Sequence, residues 1–150
     1  MVSFDLYVFP PAGPQTVDDV HRLMEAEEER LLAGEGKYTP DDPEIARQLA
    51  ELAILPAPGS EMAQFLAEME SRWPTLESDP DGSPWASSPL WQPMIGGGTG
   101  LNIVWSQAEA MRTALVDPAG QCNVIVYDPQ SDEVILPVPP AKRSWFKRRA

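Results

Sequence analysis

A chain of 150 residues with 43% hydrophobic side chains is long enough for one core, and its 17 prolines are about twice the usual share. Lys142, Arg143, Lys147, Arg148 and Arg149 hold much of the positive charge, leaving residues 1–141 with six basic and 23 acidic side chains, a balance of −17 within a total of −12. That body repels phosphate backbones, which excludes direct nucleic-acid binding by the folded part, and it attracts cationic partners.

One cysteine rules out an internal disulfide, and no stretch approaches the roughly 20 apolar residues of a membrane span. The start, Met1-Val2-Ser3-Phe4-Asp5, has no basic residue before its apolar run, so a cytoplasmic protein is expected.

Phe4 to Phe9 read as a first strand, with Phe4, Leu6 and Val8 on one face and Asp5, Tyr7 and Phe9 on the other. The proline-rich segment 10–14 ends it. Thr16 is a natural cap for a helix with Asp18 and Asp19 in its first turn. Val17, Val20, Met24, Leu31 and Leu32 form its apolar stripe, the acids Glu25, Glu27, Glu28 and Glu29 its solvated side, and Gly34 and Gly36 its end. A second helix is predicted after Asp42-Pro43, through Ile45, Leu49, Leu52 and Ala53. Ser60 caps a third, whose Met62, Phe65, Leu66 and Met69 repeat at core spacing.

Residues 73–98 read as loop. Asp79-Pro80-Asp81-Gly82 has two of the acids of a calcium loop but lacks the third and the closing glutamate, so a solvated turn is expected and no metal. The prolines of 88–95 confine that segment to a sheet edge. Gly96-Gly97-Gly98 precedes a strand, not a helix, and reads as a hairpin connection and not a phosphate cradle. Leu101, Ile103 and Trp105 share the inner face of that strand. Ser106 and Glu109 form a capping box for a helix expected to end before Pro118. Residues 122–127 make the most apolar strand, stopped by Asp128-Pro129, with a short strand over 133–137.

The expected fold is α+β: a ferredoxin-like βαββαβ sheet with extra helices in the first crossover, as one domain over 1–138 and a loose basic tail over 139–150. Strands 3–9, 101–105 and 122–127 would be central, with 88–95 at the edge.

No catalytic set, cofactor or metal site is read from these residues. His21 is the lone histidine and Cys122 the lone cysteine, expected as a surface imidazole and a buried thiol. Asp5 and Asp128 are the interesting carboxylates. With neighbouring antiparallel strands they would meet at one sheet end beside Tyr7, Tyr127 and Gln130, as a small ligand or enzyme site. The plainer reading has each accept backbone bonds at a turn. Trp105 is expected in the core. Trp73, Trp85 and Trp91 either pin the long loop or, with Glu77, Asp79 and Asp81, face a partner bearing Arg or Lys. The Tyr7, Phe9, Ile125 and Tyr127 face needs a cover, which raises a homo-oligomer. Trp145-Phe146 among basic residues raises contact with an anionic membrane surface or with the acidic body, a loose solubilising end being the plainer reading.

Ser3-Phe-Asp-Leu-Tyr-Val-Phe9, Ser83-Pro84-Trp85 and Val-Tyr-Asp-Pro-Gln at 126–130, followed by Val134 and Pro137, together resemble a family of small bacterial proteins. This chain departs from the family pattern at Gln121-Cys122-Asn123, where similar proteins read Gly-Leu. The resemblance carries no catalytic residues, and since some members look immunity- or toxin-associated, it implies a binding role. The leading expectation is a non-enzymatic acidic binding protein, an immunity-type inhibitor of a basic toxin. Its contact would be residues 25–29 and 77–81 with Trp85.

Overall fold

The computed structural model describes residues 3–32, 56–94 and 96–137; the helix expected after Asp42 and the tail lie outside them. The elements are β1 (Ser3–Phe9), α1 (Val17–Leu32), α2 (Glu61–Arg72), β2 (Thr99–Val104), α3 (Ala108–Gln121), β3 (Ile125–Asp128) and β4 (Glu133–Ile135), with a 3-10 turn at Trp105–Gln107. The fold is α+β. Its four strands run in the order β2-β1-β3-β4.

β1 is central, between β2 and β3, and every pair is antiparallel. Bridges Trp85↔Ile103 and Pro93↔Thr99 lay residues 85–93 antiparallel along the outer edge of β2, and the turn at Gly96 and Gly97, both at positive φ, reverses the chain into the strand. The proline-bearing segment does occupy an edge, through isolated bridges and without a ladder.

Alternation along β1 sorts two cores. Phe4, Leu6 and Val8 join Met62, Phe65, Met69, Met111 and Leu115 of α2 and α3 on one face. Phe9 joins Ile125 and Tyr127 under Val20 of α1 on the other, with Leu23 and Met24 packed against them. Part of the cover sought for the Tyr7–Tyr127 face is therefore α1 of the same chain.

Local signals held where the bonds are short-range. Thr16 Oγ1 accepts the amide of Asp19, and Ser60 Oγ that of Ala63. The capping box of Ser106 did not. The chain takes a 3-10 turn there, and α3 starts at Ala108 with no side-chain cap. Nor does α3 stop before Pro118; it runs to Gln121 with Pro118 buried inside. Only one turn follows the proline, and Asn123 at φ 59 closes it while the Val124 amide reaches Ala119 O at 3.0 Å. Cys122 thus caps a helix instead of opening a strand, half-buried, its thiol pushed up by burial and then by Glu68.

The tryptophans exchange roles. Trp105 lies past the end of β2 and is 57% exposed, edge-on to Phe4 at 6.1 Å. Trp85 is wholly buried and meets Trp73 edge-on at 6.1 Å, and Trp73 and Trp91 pack against the core. These aromatics pin the loop. Among the described residues, the indole Nε1 of Trp85 has no hydrogen-bond partner.

Candidate functional site: a cleft between α1 and the sheet

Strand register builds the floor. Tyr7 lies opposite Gly100 on one side and Tyr127 on the other, and Asp5 opposite Asn102. The two phenol rings sit 6.4 Å apart, tilted by 32°. Gly100 gives the Tyr7 ring its room: a Cβ there would stand 3.3 Å from the ring edge. Beyond β2, the wall is residues 92–94, held because Thr99 Oγ1 accepts the Gln92 amide at 2.8 Å and donates to Leu90 O at 3.0 Å. Gln92 Nε2 and Asn102 Nδ2 both donate to Ser87 Oγ at 2.7 Å, which fixes their amides.

The roof is α1. Its first half packs on the sheet through Val20. Its second half, with Met24, Glu25, Glu27, Glu28, Arg30 and Leu31, lines an open cleft of about 820 Å³ over Tyr7, Gly100, Asn102, Tyr127 and Pro129. Two expectations for α1 change here. Leu31 and Leu32 are 53% and 42% exposed, while Glu27 is buried. Glu27 tolerates burial because Arg30, one turn on, binds both of its oxygens, Nε to Oε2 at 3.0 Å and Nη2 to Oε1 at 2.5 Å.

At the other end, α1 is tied to the β3–β4 turn. Asp132 Oδ1 accepts the Tyr127 hydroxyl at 2.7 Å and meets His21 Nε2 at 2.8 Å. The Tyr127 bond, then the His21 bond, hold the Asp132 carboxyl below the usual range. Burial, then that same bond and the charges of Asp132, Asp128 and Tyr7, push the Tyr127 phenol up to about 12. Burial, then Asp5 and Glu27, raise Tyr7. At neutral pH both phenols stay protonated, and the Tyr127 hydroxyl serves as a donor to Asp132, not as a base or nucleophile.

The proposed meeting of Asp5 and Asp128 does not occur. They point to opposite faces, because Asp128 follows Val126 on the α3 side while Asp5 precedes Tyr7 on the α1 side. Asp128, 2% exposed, accepts Arg112 Nε from α3 at 2.5 Å and the Gln130 amide at 2.9 Å, and Arg112 reaches on to Glu133 at 2.8 Å. That is a structural anchor, and Gln130 is exposed beside it. Cys122 packs against the α2–α3 core, so it cannot serve His21 on the other face.

The loop acids do not line this cleft. Glu77, Asp79 and Asp81 are exposed, with Glu77 Oε1 accepting Ser88 Oγ at 2.9 Å and Asp79 Oδ1 the Gly82 amide at 3.0 Å. Trp85, expected to stand with them on the surface, is inside and meets no partner in the folded state. The structure thus joins Glu25 and Glu28 with Tyr7 and Tyr127, which the sequence placed in separate hypotheses. It adds His21, Arg30, Asn102 and Asp132, which sequence reasoning missed. Only the three-residue spacing of Glu27 and Arg30 on one helix hinted at any of them.

Among the described residues, no three or more His, Cys, Asp or Glu side chains are placed to hold a metal ion, and no helix is long and apolar enough to cross a membrane. No family model, no curated protein and no solved structure matches the chain.

Proposed function

We propose that this protein is a non-enzymatic acidic binding protein, an immunity-type inhibitor of a basic toxin in the sense the resemblance implies, and that its contact surface is the cleft beneath α1. The observation that carries this reading is the make-up of the cleft. Exposed Glu25 and Glu28 rim a floor of protonated tyrosine beside exposed Leu31. Carboxylates and phenol faces both attract Arg and Lys side chains, and apolar ground between them suits the stems of such residues. Three arginines of the body are already spent on its own acids: Arg30 on Glu27, Arg72 on Glu68, Arg112 on Asp128 and Glu133. The acidic surplus therefore stays available to steer a cationic partner.

The test is capture of basic proteins from the native organism's lysate at low and high salt, with the full chain and with Glu25→Lys/Glu28→Lys. Binding should fall steeply with salt and drop at least about tenfold on charge reversal. Salt-insensitive binding, or binding indifferent to the reversal, rejects the reading.

The size of the cleft favours one alternative, a small-ligand domain, since about 820 Å³ is in the range of ligand sites. It keeps Tyr7 and Tyr127 from the sequence-based site and drops Asp128 and Gln130. A thermal-shift screen of small organic cations tests it, and a flat screen sinks it.

A further inference from the structure

The chain itself contains a segment of the chemistry that the cleft would take. Residues 139–150 carry Lys142, Arg143, Lys147, Arg148 and Arg149, no acid, and the pair Trp145-Phe146 between the basic groups. The cleft offers the complement: Glu25 and Glu28 at the rim, and Met24, Leu31 and Pro93 as apolar ground, with Leu31 53% exposed.

We propose that residues 139–150 dock in the cleft between α1 and the sheet and compete there with the basic partner, an inference that rests on the reading of that cleft as a contact surface.

Chain geometry permits it. In β4, Val134 lies opposite Tyr127 and packs against the cluster under α1, while Ile135 packs against the other core, so the chain leaves along the sheet edge that the two faces share. Pro137 is the last described residue. Five residues separate it from Lys142, enough to span roughly 17 Å when extended. The three strand spacings from β4 across to β2 amount to about 14 Å. The basic, aromatic run therefore reaches both walls of the cleft. Tethering raises its local concentration to about the millimolar range, so even a weak contact is populated ahead of a dilute partner.

The experiment compares amide spectra of the full chain with those of Trp145→Ala/Phe146→Ala and of a five-fold charge reversal at the basic residues of 142–149. At low salt, the signals of Tyr7, Glu25, Glu28 and Leu31 should shift between the full chain and either variant. The difference should vanish near about 0.5 M salt, where charges are screened within a few ångströms. Both variants alter only the segment beyond the described fold, and retained signals from the α2–α3 core verify folding. Shifts confined to the other face, or none at all, overturn the proposal. So does a tail that instead binds vesicles containing anionic phospholipid while leaving the cleft signals unmoved. If the cleft signals stay unmoved but lysate binding still depends on Glu25 and Glu28, this inference fails and the contact-surface reading stands. If they move but lysate binding ignores those glutamates, the reverse holds.

Discussion

The two faces of the sheet are built from the same strands, yet they are finished differently. Two helices and the pinned loop close one face, where Leu6, Met69, Trp85, Leu115 and Phe65 are fully buried. Among the described residues, a single helix covers the other, and only its first half lies on the sheet. The closed face uses a buried charge, Asp128, as a clamp to α3 through Arg112. The half-covered face keeps its buried charge, Glu27, within α1, with Arg30 as its partner. A face sealed by two helices is invested in stability. A face sealed by half of one leaves ground for a partner.

If that contrast holds, the largest effect belongs to Trp85→Ala on the closed face. It should cost about 3–5 kcal/mol in denaturant unfolding, with the folded fraction still binding its partner. Trp85→Phe should cost much less, because it also removes the unsatisfied indole N–H. Near-equal losses for the two would mean that the pocket, not the burial, is misjudged. Next comes Arg112→Ala, which strands the Asp128 carboxylate with the Gln130 amide. Because the arginine is itself about a third exposed, water will soften the loss to about 2 kcal/mol.

On the open face the ranking inverts. Glu25→Lys/Glu28→Lys should change stability by no more than about 0.5 kcal/mol while abolishing most binding. A large stability loss there would erase the distinction between the faces. Smallest is Tyr127→Phe, about 1 kcal/mol for the bond to Asp132. Its pH signature is sharper than its size. A phenol raised in the fold from 10.0 to about 12 contributes stability that is intact below pH 10 and lost as pH rises through 12. Unfolding melts across that window should show the loss in the parent chain and a weaker one in Tyr127→Phe. The Asp132 carboxyl, held low, works the opposite way: its contribution is present above the ordinary carboxyl range and fades as pH falls through its lowered value.

Much of the fold was legible in the chain because it rests on local rules. Period-two alternation placed Phe4, Leu6 and Val8 against Asp5, Tyr7 and Phe9, and helical spacing found Met62, Phe65, Leu66 and Met69. Caps at Thr16 and Ser60 are bonds across three residues. Such signals need no knowledge of distant chain.

The capping box at Ser106 and the stop at Pro118 failed locally; the other errors needed that knowledge. Trp105 and Trp85 are both tryptophans near a strand, and only the path of residues 85–93 along β2 decides which is buried. Glu27 reads as one more solvated acid until Arg30 and the sheet enclose it. Asp5 and Asp128 seemed a pair because their strands adjoin, but pleat parity across the register sends them to opposite faces. The sequence by itself determined the charge of the body, the α+β class, the two-sided pattern of β1 and the basic, aromatic character of residues 139–150. Tertiary structure alone decided the path of residues 85–93 along β2 and the cleft, since a cavity is the space left between elements far apart in the chain, and no residue encodes it singly.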